Sequence, residues 1–141
     1  MYKRQGYPTA ALRLVKTALR TSRHARVLMP SFSKGALAAA ALGRSAMVDR
    51  FAARFVATAA AANFPLEELE ARSELAQAYA QIGSDAKARR LARAARRDAA
   101  SLNLSVVVRR CDAVLAGTSE PADTVALSAP ANRVVLELER V

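Results

Sequence analysis

The sequence is poor in the residues that build disulfides and metal sites. Its 141 residues include one cysteine, Cys111, one histidine, His24, and no tryptophan. A single cysteine cannot form an internal disulfide, and a zinc site needs several Cys or His ligands at short spacing. These absences exclude a disulfide-stapled domain and a zinc cluster, and they favour a reducing, cytoplasmic setting.

Motifs for catalysis are also absent. The sequence contains no G-x-x-x-x-G-K-[ST] phosphate loop and no G-x-S-x-G nucleophile elbow. Glutamates at positions 67, 68, 70 and 74 could suggest acid–base chemistry, but acids at a helix start stabilise the helix dipole and no other reactive group accompanies them. We therefore predict that the chain is not an enzyme and uses no cofactor and no metal.

No long uncharged run is present. The most apolar stretch, residues 35–65, is interrupted by Arg44, Asp49, Arg50 and Arg54. A membrane-spanning helix needs about 20 consecutive apolar residues. Lys and Arg residues break up the first 20 positions in the same way, so a signal peptide is not expected. The sequence predicts no membrane partner.

Glycine and proline are scarce at five each and aromatic residues make up 5%, whereas hydrophobic residues reach 52%. Most of that apolar content is alanine, leucine and valine, and alanine is the best helix former. A sheet protein would need more β-branched and aromatic residues. The composition predicts an all-α fold with small side chains at the helix contacts.

Apolar residues recur at spacings of three and four, which predicts six helices over residues 8–27, 33–42, 46–62, 66–82, 85–100 and 105–116. Pro30 is expected to end the first segment, and Gly43, Gly83 and Gly117 are expected to stop later ones. We expect the fifth helix to bury Ala88, Leu91, Ala95 and Leu102, and to expose Arg89, Arg90, Arg93, Arg96 and Arg97.

Gly43 and Gly83 each separate two predicted helices and lie 40 residues apart, an interval typical of helical repeats. Around the second glycine, the pattern comprises Leu75-Ala76, Tyr79, Gly83, Ala88 and Ala95. This unit resembles a tetratricopeptide (TPR) repeat, although Arg72 and Ala100 stand where that family has a large residue and a proline. The resemblance implies antiparallel helical hairpins stacked as a short solenoid, with Tyr79 filling the groove between the helices.

Residues 74–117 are also similar to the last repeats of bacterial LuxR-type regulators and signalling ATPases. That resemblance implies a protein–protein interaction or regulatory module, the C-terminal part of a larger transcriptional regulator or signalling ATPase. Its partner would be another protein or an upstream domain of the same parent chain. Residues 1–5, Met-Tyr-Lys-Arg-Gln, resemble a translated sequencing adapter, so we expect the natural protein to extend upstream.

The domain organisation follows from these observations. Residues 1–5 are interpreted as an adapter-derived artefact and residues 6–117 as the TPR-like helical domain. Residues 118–141 turn to Ser, Thr, Pro, Ala and Asp, which predicts a flexible tail. Within it, Val134, Leu136 and Leu138 alternate with other residues and could form a short strand.

Two surfaces are candidate binding sites. On the fourth helix, Glu70, Ser73 and Gln77 recur at i, i+3 and i+7, away from the packing residues. In stacked hairpins the first helix of each unit lines the concave side where partners dock. We therefore predict that these three residues bind the partner.

The second candidate surface is basic. The net charge is +10; residues 1–60 carry 11 Lys and Arg against one acid, whereas residues 61–141 carry 11 of each sign. Arg13, Lys16, Arg20 and Arg23 form a stripe at i, i+3, i+7 and i+10. Such a stripe binds phosphates without an elaborate site, although no aromatic residue lies among these cations to stack on bases. A basic helical domain that binds nucleic acid is the alternative function.

Overall fold

The computed structural model describes residues 2–119, with side chains from residue 6 onward, and this part of the chain is helical with no strand. The helices are α1 (Tyr2–Thr21), α2 (Ala25–Ala41), α3 (Ser45–Ala60), α4 (Pro65–Gln81), α5 (Asp85–Ser101) and α6 (Ser105–Gly117). The predicted all-α fold is confirmed. None of these helices has the length and apolar character needed to cross a bilayer. The strand predicted near Leu136 lies outside the described residues.

The helices follow one another at a constant interval. Five of them begin at Ala25, Ser45, Pro65, Asp85 and Ser105, so each helix start lies 20 residues after the previous one. In space, α2 contacts α1, α3 and α4, whereas α4 contacts α2 and α5 extensively, α6 less so and α3 only slightly. The helices α2, α4 and α6 therefore form a central row on which the others pack.

Left-handed turns end three of the helices. Gly43 and Gly83 have φ of +72° and +82°, a region that glycine enters at no steric cost, and both lie in the turns where the sequence predicted them. Asn103, with φ of 58°, makes the same kind of turn between α5 and α6. Its N–H donates to the carbonyl of Ala100 at 3.1 Å. This turn was not predicted, because asparagine signals it less strongly than glycine.

The predicted boundary between the first two helices was wrong. The chain leaves α1 near Ser22, whose hydroxyl accepts the N–H of His24 at 3.2 Å, a local bond that competes with helix continuation. Pro30 lies inside α2 instead of ending a helix. Proline has no backbone N–H to donate within the helix. The loss of this hydrogen bond is tolerated because the nearby side chains of Met29 and Phe32 are buried, at 0% and 2% exposed.

Two predictions for α5 were also wrong. Arg89 is buried, because its Nη1 donates to the carbonyls of Leu115 at 2.7 Å and Thr118 at 2.9 Å at the end of α6. Those carbonyls have no helical partner, so the guanidinium satisfies them. Leu102 follows the end of α5 and stays 49% exposed. Ala88 and Ala95 are buried as predicted.

The core changes character along the chain. Between α2 and α3 it is aromatic: Phe32 and Phe51 lie 6.5 Å apart between ring centroids. Gly35 permits that packing, since a Cβ there would come within 2.9 Å of the Phe51 ring. On α4 and α5 many of the buried positions are alanines, at 76, 78, 88, 92, 95 and 99. Small side chains let these helices approach closely.

Candidate functional site

An open groove of about 640 Å³ lies between α3, α4 and α5. Its lining includes Phe55, Leu75 and Tyr79, which belong to the core and are 2%, 2% and 6% exposed. Leu91, which was expected to be buried, is half-buried and lines the same groove. The groove exists because α3 packs on α2 and hardly touches α4.

The wall formed by α3 is apolar and accessible. Val56 is 63% exposed, and the neighbouring positions 52, 53, 59 and 60 are all alanine. An apolar surface beside a concave cleft marks a binding site more often than scattered exposed residues do. The chemistry of this wall therefore suits apolar side chains.

One end of the groove is polar. The Tyr79 hydroxyl donates to Asp49 Oδ1 at 2.7 Å, and Lys87 Nζ lies 3.5 Å from the same oxygen. The Tyr79 bond, aided by Lys87, lowers the pKa of the Asp49 carboxyl. Burial and the neighbouring Asp49 raise the pKa of Tyr79. The phenol therefore stays protonated and the carboxylate stays charged across the neutral range.

The remaining charged residues that line the groove differ in whether they form ion pairs. Arg72 forms an ion pair with Glu68, one turn earlier on α4. Arg90 is exposed on α5 at the groove and makes no ion pair with any residue from 6 to 119. An occupant with a carboxylate would find a cation available there.

The predicted partner-binding residues lie elsewhere on α4 and in different environments. Glu70 is exposed, Gln77 is half-buried and Ser73 is fully buried. The Ser73 hydroxyl donates to the Glu70 carbonyl at 2.7 Å and accepts from Arg110 Nη1 of α6 at 2.8 Å. Ser73 therefore joins two helices, whereas partner binding by Glu70 and Gln77 stays a prediction.

The next residue extends this polar connection to α2. Glu74 is 9% exposed; its Oε1 accepts from the Ser33 hydroxyl at 2.7 Å and its Oε2 from Lys34 Nζ at 2.6 Å. Buried carboxylates are tolerated when hydrogen bonds satisfy them. Ser73 and Glu74 together fasten α4 to both of its neighbours in the central row.

The basic stripe is accessible. Arg13, Lys16 and Arg20 are exposed on α1, and Arg23 is exposed in the turn that follows it. Within the described part of the chain, none of the four takes part in an ion pair. Their charge is therefore directed to solvent.

Reactive groups outside the groove offer little chemistry. Cys111 is fully buried, and burial, with a smaller contribution from Asp112, raises the pKa of its thiol. His24 is exposed just before α2, with its ring 6.4 Å from that of Phe64. Over residues 2–119 no group of three or more His, Cys, Asp or Glu is placed to hold a metal ion.

Comparison with protein-family models, curated proteins and solved structures finds no match for the chain.

The groove itself was not predicted from the sequence. A signal existed: α3 carries Ala52, Val56 and Ala59 beside its buried stripe of Val48, Phe51 and Phe55, so its apolar surface is wider than one neighbouring helix needs.

Proposed function

We propose that the chain is a TPR-like helical repeat module that binds a partner protein, and that the groove between α3, α4 and α5 receives an apolar segment of that partner. The observation that carries the proposal is an accessible groove lined by core side chains with charged groups at its ends. The constant 20-residue interval between helix starts and the central row of alternate helices support stacked helical hairpins. The resulting 40-residue unit is longer than the TPR period of about 34 residues, so the TPR-like part of the proposal rests on the sequence resemblance.

The energetics suit a peptide ligand. Burying one leucine-sized side chain contributes about 1.5–3 kcal/mol. Three such side chains in the groove would therefore outweigh part of the cost of immobilising a short segment. Arg90 would add selectivity by preferring segments that carry a carboxylate near the apolar residues. A regulatory role in a longer bacterial protein remains part of the proposal and rests on the sequence resemblance.

The test uses peptides selected from a displayed random library on the full chain. Their affinities are then measured by fluorescence anisotropy for the wild-type chain, for Val56→Glu and for Leu14→Glu. Leu14 is the matched control, an apolar side chain 71% exposed on α1 and outside the groove. We expect Val56→Glu to weaken binding by about tenfold or more, since a buried unpaired charge is costly, and Leu14→Glu to leave it unchanged. Equal losses in both variants would refute the groove as the site.

Nucleic-acid binding is the second candidate, favoured by the four exposed cations of α1 and its following turn, which form no ion pair with any residue from 6 to 119. If the stripe binds phosphates, affinity for duplex DNA should fall steeply as salt rises. Neutralising Arg13, Lys16, Arg20 and Arg23 together should abolish it. No binding at low salt would dismiss this function.

A further inference from the structure

We propose that the partner segment that fills the groove between α3, α4 and α5 is an amphipathic helix of about three turns, with apolar side chains at i, i+3 or i+4 and i+7 and a carboxylate beside them. The inference rests on the proposed function, since both use the same groove. It adds the conformation, the length and the charge of the segment that the groove receives.

The groove lies at a junction that is closed elsewhere in the described part of the chain. Extensive contacts join α1 to α2, α2 to α3, α4 to α5 and α5 to α6, whereas α3 touches α4 only slightly. Turning α3 toward α4 would withdraw Phe51 from Phe32 and Gly35 of α2, on which its ring packs. The apolar side of α3 that faces the groove therefore has no helix to pack on among residues 2–119.

The two walls of the groove are built like surfaces that pack against a helix. On α3 the apolar positions are Ala52, Val56 and Ala59, and on α5 they are Leu91 and Ala94. Side chains at spacings of three and four form the ridges that pack into the grooves of a neighbouring helix. Most of these side chains are methyl groups, so they leave room for the larger side chains of a helix that approaches closely.

The backbone of the walls also favours a helical occupant. Most of the lining lies in the interiors of α3, α4 and α5, where N–H and C=O groups are bonded within the helix. An extended segment would therefore find no backbone partners on its buried side, and an unpaired buried N–H or C=O costs about as much as a lost hydrogen bond. A helix satisfies its own backbone, which suits it to an apolar groove.

The length of the groove sets the length of the occupant. At one end the Tyr79 hydroxyl donates to Asp49 Oδ1 at 2.7 Å and joins α4 to α3, and at the other end residues 61–64 connect the same two helices. The lining on α3 extends from Asp49 to Ala60, which corresponds to about 17 Å of helix. A helix of about three turns has that length and presents apolar side chains at i, i+3 or i+4 and i+7 along one side.

The charge of the occupant follows from the one lining cation that has no acidic partner among residues 6–119. Asp49 Oδ1 lies 3.5 Å from Lys87 Nζ, and Glu68 forms an ion pair with Arg72. Arg90 is exposed at the groove and forms no ion pair within those residues. A carboxylate beside the apolar stripe of the bound helix would pair with this guanidinium.

Two displayed peptide libraries on the full chain test the conformation of the occupant. In the first, positions i, i+3, i+4, i+7 and i+8 are randomised on an alanine-based scaffold of about 14 residues, which a side-chain cross-link holds helical because so short a helix is marginal alone. In the matched library the same number of randomised positions alternates along an extended scaffold that prolines prevent from forming a helix. We expect groove-dependent binders from the helical library and none from the extended one.

Groove dependence is measured by fluorescence anisotropy. Val56→Glu and Ala53→Glu should each weaken the selected helical peptides by about tenfold or more, because each places a charge against the apolar stripe. Leu14→Glu adds the same charge at an exposed apolar site on α1 and should leave their affinity unchanged. Val56-dependent binders from the extended library alone would overturn the helical occupant and leave the groove as a binding site. If neither library yields a Val56-dependent binder, both proposals are wrong.

A charge exchange tests the carboxylate. Arg90→Glu should weaken the selected helical peptides by about fivefold or more, and replacing the acidic residue of the peptide by lysine should restore affinity for that variant. Arg13→Glu is the control, since it makes the same charge change on α1 outside the groove. Equal losses for Arg90→Glu and Arg13→Glu would assign the effect to net charge and overturn the predicted contact with Arg90.

Discussion

The two sides of α4 differ: one is buried against neighbouring helices through polar contacts, and the other lines the open groove. On one side, Ser73 and Glu74 are buried and hydrogen-bonded to α6 and α2. On the other side, Leu75 and Tyr79 line a groove open to solvent. Glu74 and Leu75 are consecutive residues, so a rotation of about 100° around one helix separates a closed polar interface from an accessible apolar surface. On α4, polar side chains bond to α2 and α6, whereas the apolar side chains Leu75 and Tyr79 line the candidate binding surface.

The largest expected effect on stability comes from truncating a side chain on the open side of α4. Tyr79→Ala removes a buried aromatic ring, and comparable truncations cost about 3–5 kcal/mol of unfolding free energy. Urea unfolding of the full chain measures it. Tyr79→Phe is the control: it keeps the ring and loses only the hydrogen bond to Asp49, so a loss of about 1 kcal/mol is expected. A loss below about 1 kcal/mol for Tyr79→Ala would contradict the core position of the ring.

The next largest effect on stability concerns the polar side of α4, which is buried against α2 and α6. Glu74→Ala leaves Lys34 without its partner and removes the carboxylate that accepts from Ser33, and hydrogen bonds to charged groups are worth about 1.5–3 kcal/mol. Glu70→Ala, on the same helix and exposed, should change stability by less than about 0.5 kcal/mol. The comparison requires chemical denaturation of both variants at one pH. Equal effects would mean that the α2–α4 polar contact contributes nothing.

The smallest expected effect is a pH dependence of stability that arises from Asp49 at the polar end of the groove. The pKa of Asp49 is lowered below its ordinary value of 3.8, so the bond with Tyr79 stabilises the fold above that pH and is lost as pH falls through the lowered pKa. The Asp49 side chain is 54% exposed, so the contribution should stay below about 1 kcal/mol. Asp49→Asn should be less stable than the wild type at pH 6, and the gap should close near pH 2. A constant gap would assign the loss to packing.

The sequence predicted the helical fold well because its signals are local. Alanine content, glycine stops at positions 43 and 83, and apolar spacing are properties of neighbouring residues. Two errors have non-local causes. Pro30 is held inside α2 by the burial of its neighbours, and Arg89 turns inward to the end of α6, 26 residues away in sequence. The third error is local, because Asn103 adopts a left-handed turn that asparagine signals less strongly than glycine.

The binding surface was harder to predict for a related reason. On α4, eight residues are buried and they occupy more than one side of the helix, so periodicity cannot say which neighbour covers which side. Ser73 was expected to be accessible because serine is polar, yet Arg110 of α6 covers it. The opening beside α3 depends on how far that helix stands from α4, which no local pattern encodes.

We propose that a partner binds the open side of α4 rather than its polar side. The most direct measurement compares one library-selected peptide on two variants of the full chain, Val56→Glu and the double change Glu70→Ala with Gln77→Ala. We expect about tenfold or greater loss of affinity for Val56→Glu and less than about twofold for the double change, since only the first places a charge in the groove. The reverse order, with Val56→Glu binding normally and the double change abolishing binding, would contradict it.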